Sequence, residues 1–149
     1  MSPLALNCPL NLLIVEDEPI NRAILELYLR KLGHRFVSVG DGGEALRVLH
    51  KQKFDLILMD INMPVMDGIE ATQQIRLGEA GIRAQKTPIY AISSEFCRKE
   101  EALACGMNGF LDKPLDPLQL THLLGDVSPN TDTQEHRSSS PDCFLRDNQ

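Results

Sequence analysis

The sequence predicts an α/β protein built on a doubly wound parallel sheet, and three observations support this. Short apolar runs alternate with segments of helical apolar spacing five times within residues 11–125. The runs are continuously apolar, as expected of parallel strands covered on both faces. The connecting segments are short, as in repeated strand–helix units. The predicted strands are residues 12–15, 36–39, 56–59, 89–92 and 109–111.

The first three predicted helices have recognisable ends. Apolar residues recur at helical spacing from Ile20, and Gly33 follows as a stop signal. The second helix opens at Gly42. Asp67 with Glu70 three residues later forms a capping pair at the start of the third. These signals place a helix after each of the first three strands.

The last two helices complete the pattern. The fourth is predicted over residues 95–104. The fifth begins at Asp116, where a cap residue precedes a first-turn proline, Pro117, and Gly125 is predicted to close it. With these the chain has five strand–helix units and no further internal repeat.

The composition divides the chain into three parts. Residues 1–10 form a short N-terminal segment, and residues 11–125 form the domain. Residues 126–149 are rich in Ser, Asp, Asn, Thr and Gln and contain few apolar residues, so we predict a disordered tail. The tail is too short for a second folded domain.

Charge and composition exclude several functions. The 149 residues are 42% hydrophobic and 24% charged with a net charge of −6, which argues against a nucleic-acid surface. No apolar run is long enough for a membrane span, and the first residues lack the pattern of a signal peptide, so we expect a cytoplasmic location. The four cysteines show no metal-ligand spacing and are expected to be reduced thiols.

Polar residues follow the predicted strands, where functional groups of a parallel sheet collect. Glu16 and Asp17 follow the first strand, and Asp60 follows the third. Ser93 follows the fourth strand and Lys113 the fifth. Three carboxylates, a hydroxyl and an amine are therefore expected on one rim of the sheet.

This set of groups suits phosphoryl transfer to a carboxylate. Clustered carboxylates repel one another and favour a hard cation, and Mg²⁺ prefers oxygen ligands. A central aspartate can attack phosphorus to form an acyl phosphate. The cation, the lysine and the hydroxyl then stabilise the charge that develops on the phosphoryl oxygens.

Four separated motifs resemble the signature set of two-component response-regulator receiver domains in general. They are IVED at 14–17, MDINMPVMDG at 59–68, AISS at 91–94 and DKP at 112–114. Residues 16–22 (EDEPINR) and 32–34 (LGH) look most like the receivers of hybrid sensor histidine kinases. The resemblance covers residues 12–124. It implies a flavodoxin-like (βα)₅ fold whose five-stranded parallel sheet has the order 2-1-3-4-5.

The resemblance also implies a metal-dependent phosphorylation site. Asp60 would be the phospho-acceptor, forming 4-aspartylphosphate. Asp17 would bind Mg²⁺ directly and Glu16 mainly through water, while Asn62 would supply its backbone carbonyl. Glu16 departs from the commoner Asp at its position.

The resemblance implies that other residues bind the phosphoryl group, respond to it and set its lifetime. Ser93 and Lys113 would bind it, with a cis proline after the lysine, and Phe110 would be the aromatic switch residue. Ser93 replaces the commoner Thr, and Phe110 the commoner Tyr. Asn62 and Glu95 would tune the lifetime of the phosphoryl group, and their polarity indicates a short lifetime.

The function expected from sequence is therefore a signalling receiver rather than an enzyme acting on a separate substrate. A sensor histidine kinase or a histidine phosphotransfer protein would supply the phosphoryl group, and the conformational change would control a partner. Phosphorylation-dependent dimerisation is left open, as is a stand-alone or fused context. One alternative is a docking module that takes no phosphate. Another is an aspartyl-phosphate phosphohydrolase, which Asn62 disfavours because such enzymes usually carry a second Asp there.

Overall fold

The computed structural model describes residues 9–63 and 65–127, and its core is a five-stranded parallel sheet. The strand order is β2-β1-β3-β4-β5, as the resemblance implied. The strands are β1 Asn11–Val15, β2 Arg35–Val39, β3 Leu56–Asp60, β4 Ile89–Ser93 and β5 Gly109–Asp112. The helices are α1 Pro19–Lys31, α2 Gly42–Lys51, α3 Gly68–Arg76, α4 Lys99–Ala104 and α5 Pro117–Asp126. The predicted tail lies outside the described residues except for its first two positions.

Two apolar layers cover the sheet, one on each face. Helices α2, α3 and α4 pack on one side, with Leu49 and Ile75 among the buried contacts. Helices α1 and α5 pack on the other, with Leu29 and Leu120 fully buried. All residues of the central strand β3 are buried, whereas the edge strand β2 is only partly so. Continuous apolar runs therefore indicated the central strands, as parallel sheets with two covered faces require.

Most of the predicted helix ends are confirmed. The side chain of Asp67 accepts a hydrogen bond from the backbone N–H of Glu70, and Asp116 caps α5. Gly33 has a φ of +86°, the left-handed conformation in which glycine commonly ends a helix.

Two helix predictions were wrong in detail. The segment predicted as one helix over 95–104 begins with a 3₁₀ turn, Phe96–Arg98, and α4 contains only six residues. The reason is local, because the N–H of Arg98 bonds to the carbonyl of Glu95 three residues back. At the other end of the domain, Gly125 does not close α5. It lies inside the helix, which continues to Asp126.

Candidate functional site

The carboxyl ends of β1 and β3 bring three carboxylates together. β1 and β3 are hydrogen-bonded neighbours in parallel register, with Val15 beside Met59. The next residues along the chain are Glu16 and Asp60, so the register itself places these two side chains side by side. Asp17 joins them, and carboxylate oxygens of all three residues lie within 4.8 Å of one another. The sequence-based expectation of a carboxylate cluster at this rim is confirmed.

Lys113 brings a positive charge to this cluster from the end of β5. Its Nζ lies 3.3 Å from Oδ1 of Asp60 and 3.3 Å from Oε1 of Glu16. The peptide bond that follows, to Pro114, is cis, as the resemblance implied. One ammonium thus faces two buried carboxylates, and among the described residues the cluster retains an excess of negative charge.

Asp60 is buried, with 2% of its surface exposed, and its protonation reflects that environment. Loss of solvent and the neighbouring charge of Glu16 raise the pKa of Asp60 to about 7, while Lys113 acts in the opposite direction. The backbone N–H of Asn62 also lies 3.3 Å from Oδ1 of Asp60. The ionised form of Asp60 is therefore unfavourable in this environment, and a bound cation would stabilise it.

Glu16 supplies the clearest indication that the cluster fits a cation. The residue is 1% exposed, and its Oε1 has no partner with hydrogen-bond geometry among the described residues. The contact with Lys113 at 3.3 Å is an ion pair only. A buried carboxylate oxygen left without a hydrogen bond is costly, and a metal ion or its bound water would satisfy it. Glu16, Asp17 and Asp60 thus form an oxygen-rich set of the kind that Mg²⁺ prefers.

Ser93 and the loop after β4 form the other wall of the site. Ser93 is fully buried at the end of β4, and its Oγ accepts a hydrogen bond from the backbone N–H of Glu95 at 2.9 Å. That hydrogen bond leaves the hydroxyl proton to be donated elsewhere. Glu95 itself is exposed. Because β3 pairs with β4, with Asp60 beside Ile92, Ser93 lies one position further along the same rim.

Phe110 lies on β5 at the margin of this site. It is half-buried and packs against the apolar layer formed with α2, α3 and α4. Its backbone pairs with Ala91 on β4. The structure therefore places Phe110 against the core, and its proposed movement stays a prediction.

Sequence reasoning missed one side chain that lies against this site, Arg98. Its Nη1 donates to Oδ1 of Asn62 at 2.9 Å, and its other nitrogens pair with Asp67 and Glu101. Asn62 and Asp67 lie in the segment between β3 and α3, more than thirty residues before Arg98 in the sequence. No local sequence motif indicates contacts over such a separation.

The fold and the site define a class of protein, the receiver-type signalling domains that carry an acidic cluster, a hydroxyl and a lysine at one end of a five-stranded parallel sheet. Residues 12–125 match the family described as response regulator receiver domain. The chain belongs to that family.

Relatives of known identity agree with this assignment. The autoinducer 1 sensor kinase/phosphatase LuxN of Vibrio harveyi is 37% identical over 121 residues, covering 80% of this chain and 14% of LuxN. The receiver domain of the sensor histidine kinase PA1611 from Pseudomonas aeruginosa, solved with a magnesium ion in its active-site cleft, aligns with a TM-score of 0.71 and 38% identity. That alignment covers 78% of this chain and 95% of the other.

A third match includes a partner. The receiver domain of the response regulator Ssk1 from Saccharomyces cerevisiae was solved with the histidine phosphotransfer protein Ypd1, and the match has a TM-score of 0.68 and 34% identity. It covers 76% of this chain and 84% of that one. The chain spans a quarter or less of the length of the first curated relatives that it matches. Among the described residues, no helix has the length and apolarity needed to cross a bilayer.

Proposed function

We propose that the protein accepts a phosphoryl group from a phosphohistidine donor on Asp60, with Mg²⁺ as cofactor. One observation carries this proposal: the buried carboxylate of Asp60 lies within 4.8 Å of two further carboxylates and 3.3 Å from the ammonium of Lys113. Carboxylate nucleophile, candidate cation ligands and fixed positive charge are thereby joined in one place. The magnesium ion in the PA1611 receiver supports the same choice of metal.

In the proposed transfer, an oxygen of Asp60 forms a bond to phosphorus while the bond from phosphorus to the histidine nitrogen breaks. The nitrogen keeps the bonding electron pair. Lys113, whose Nζ lies 3.3 Å from Oδ1 of Asp60, would hold one phosphoryl oxygen, and Ser93 would donate its hydroxyl proton to another. Mg²⁺ bound by Glu16, Asp17, Asp60 and the carbonyl of Asn62 would offset the charge on the transferring group.

We propose that the phosphoryl group then shifts a conformational equilibrium. Ser93 would give up its contact with Glu95 to reach the phosphoryl oxygen, and Phe110, two strand positions before Asp112, would respond at the end of β5. The altered surface would be that of α4, β5 and α5. Dimerisation through that surface is one proposed consequence, and control of a different partner is another.

The proposed donor is a sensor histidine kinase or a histidine phosphotransfer protein, as the Ypd1–Ssk1 complex suggests for a related receiver. Exposed apolar side chains on the rim of the site support a protein donor. Ile20 and Ile24 on α1 are 67% and 40% exposed, and Leu118 on α5 is 69% exposed. Such residues would form the apolar part of the contact with the protein that carries the phosphohistidine, whose imidazole must approach Asp60.

The test is the intact mass of the protein after incubation with acetyl phosphate, with and without Mg²⁺. We expect one Mg²⁺-dependent phosphoryl adduct on the wild type and none on Asp60→Asn. Asp112→Asn is the matched control, because Asp112 is an exposed carboxylate at the end of β5. An adduct that persists in Asp60→Asn would refute Asp60 as the acceptor. No adduct even with a histidine phosphotransfer donor would instead favour a docking module that takes no phosphate.

A further inference from the structure

Arg98 fastens the segment after β4 to the segment after β3 across the mouth of the site. Its Nη1 donates to Oδ1 of Asn62 at 2.9 Å, and its Nη2 lies 3.6 Å from Oδ2 of Asp67. Its Nε donates to Oε1 of Glu101 at 3.0 Å, and this bond helps to fix the orientation of the guanidinium. We call the contact of Arg98 with Asn62 and Asp67 the Arg98 clasp.

The clasp ends on a residue that adjoins the phospho-acceptor. Asn62 follows Asp60 by two positions, and its backbone N–H lies 3.3 Å from Oδ1 of Asp60. Its side chain is exposed, so only a specific contact would hold it in one orientation. Arg98 provides that contact, and the side chain of Arg98 is only 22% exposed.

The chemistry of the two side chains fixes how Asn62 is turned. A guanidinium has only donors, so it is the oxygen of the Asn62 carboxamide that faces Arg98. That oxygen is the one acceptor of the Asn62 side chain. Its hydrogen bond with Arg98 is charge-assisted, and such bonds are stronger than neutral ones.

We propose that Arg98 is a positioning residue that lengthens the life of the phosphoryl group on Asp60 by withholding the carboxamide oxygen of Asn62 from an attacking water. This inference rests on the proposed function. In the hydrolysis, the water oxygen bonds to phosphorus, the bond from phosphorus to Asp60 breaks, and its electron pair returns to the carboxylate. One proton of the water leaves with phosphate or to solvent. A carboxamide oxygen turned toward the acyl phosphate would orient that water, and the bond to Arg98 holds the oxygen turned toward the guanidinium instead.

The experiment measures how fast the phosphoryl group is lost from protein loaded with acetyl phosphate and then freed of donor in Mg²⁺ buffer. For Arg98→Met we expect loss about fivefold faster than in the wild type, the effect of one neutral hydrogen bond between the released carboxamide and the attacking water. Arg83→Met is the matched control. Arg83 is a more exposed arginine whose Nη2 donates to a carbonyl, that of His50, in the segment before β4.

A double-mutant cycle separates positioning from a general loss of structure. In an Asn62→Ala background there is no carboxamide to release, so Arg98→Met should change the rate by less than about twofold. Arg98→Lys is a second variant if Arg98→Met unfolds. It keeps the charge but cannot donate to several acceptors through a rigid fork, and we expect an intermediate rate.

The outcomes distinguish this inference from the proposed function. If the wild type takes no phosphoryl group on Asp60, both are refuted. If the wild type is phosphorylated but Arg98→Met loses the group at the wild-type rate or more slowly, only the role of Arg98 is refuted. Equal acceleration by Arg98→Met with and without Asn62 would also refute it, because the effect would then bypass the carboxamide.

Discussion

Replacing Asp60 with asparagine should stabilise the metal-free protein at neutral pH. Burial and the charge of Glu16 raise the pKa of Asp60 from 3.8 to about 7. Ionising Asp60 therefore costs more free energy in the folded state than in the unfolded state, and this difference lowers the free energy of unfolding. A difference of roughly three pKa units corresponds to about 4 kcal/mol at about 1.4 kcal/mol per unit. Asn cannot pair with Lys113, so we expect a net gain of about 2–4 kcal/mol at pH 8.

The sign of the pH dependence follows from the same shift. Between pH 3.8 and about 7 the folded state binds more protons at Asp60 than the unfolded state does. The free energy of unfolding of the wild type should therefore fall as the pH rises through this window and level off above it. Asp60→Asn lacks that titration, so its advantage should shrink as the pH is lowered toward 4.

The assay is urea unfolding followed by circular dichroism at several pH values from 4 to 8, in EDTA. Circular dichroism suits the chain because it contains no tryptophan. Asp112→Asn makes the same chemical change at an exposed position and should follow the wild-type curve. Parallel curves for the wild type and Asp60→Asn, or a less stable Asp60→Asn at pH 8, would refute the electrostatic reasoning.

Three further substitutions test other parts of the fold by urea unfolding. His34 Nδ1 accepts the backbone N–H of Leu10, and burial lowers the pKa of His34. The wild type should therefore lose stability relative to His34→Gln as the pH falls below about 6.5. Arg76 donates to three backbone carbonyls between α3 and β5, so Arg76→Met should cost about 3 kcal/mol, measured as a lower urea midpoint. A Cβ at Gly68 would approach the carbonyl oxygen of Asp60, so Gly68→Ala should cost about 2 kcal/mol and weaken Mg²⁺ binding, measured by titration calorimetry.

Each of these substitutions has a control in the same chain. His122 is exposed on α5, and His122→Gln should leave the pH profile unchanged. Arg83→Met removes a cation from the surface and should cost less than about 1 kcal/mol. Among residues 9–63 and 65–127, no atom lies within 4 Å of the place that a Cβ on Gly125 would take, so Gly125→Ala should stabilise α5 slightly. A large loss in any control, or none in its counterpart, would contradict the assigned contact.

The fold could be predicted from sequence because its signals are local. Each central strand is a short run of apolar residues, and caps such as Asp67 and Asp116 lie beside the helices that they start. The carboxylate cluster was also predictable, since parallel strands end at one edge and Glu16 and Asp60 each lie at the end of such an apolar run.

What sequence could not show depends on contacts between distant residues. Arg98 and Asn62 lie 36 positions apart, and the pairing depends on where the turn after β4 places the guanidinium. That turn begins with a 3₁₀ segment because the N–H of Arg98 bonds to the carbonyl of Glu95, three residues back. The spacing of apolar residues does not distinguish such a segment from the start of an α-helix. The same holds for Oε1 of Glu16, because only the packed structure shows that this oxygen is buried and receives no hydrogen bond from the part of the chain that the structure describes.

The ion pairs of Lys113 have a consequence for how the protein folds during its synthesis. β5 is not a neighbour of β1 or β3, so Lys113 reaches Glu16 and Asp60 only when β4 has been inserted between β3 and β5. The two acids are synthesised first, and their counter-charge emerges from the ribosome near the end of the domain. In a nascent chain that stops before β5, pairing of β1 with β3 would bring the like charges together with no lysine from β5 to offset them. Docking of the last strand therefore completes the sheet and the electrostatics of the site in one step.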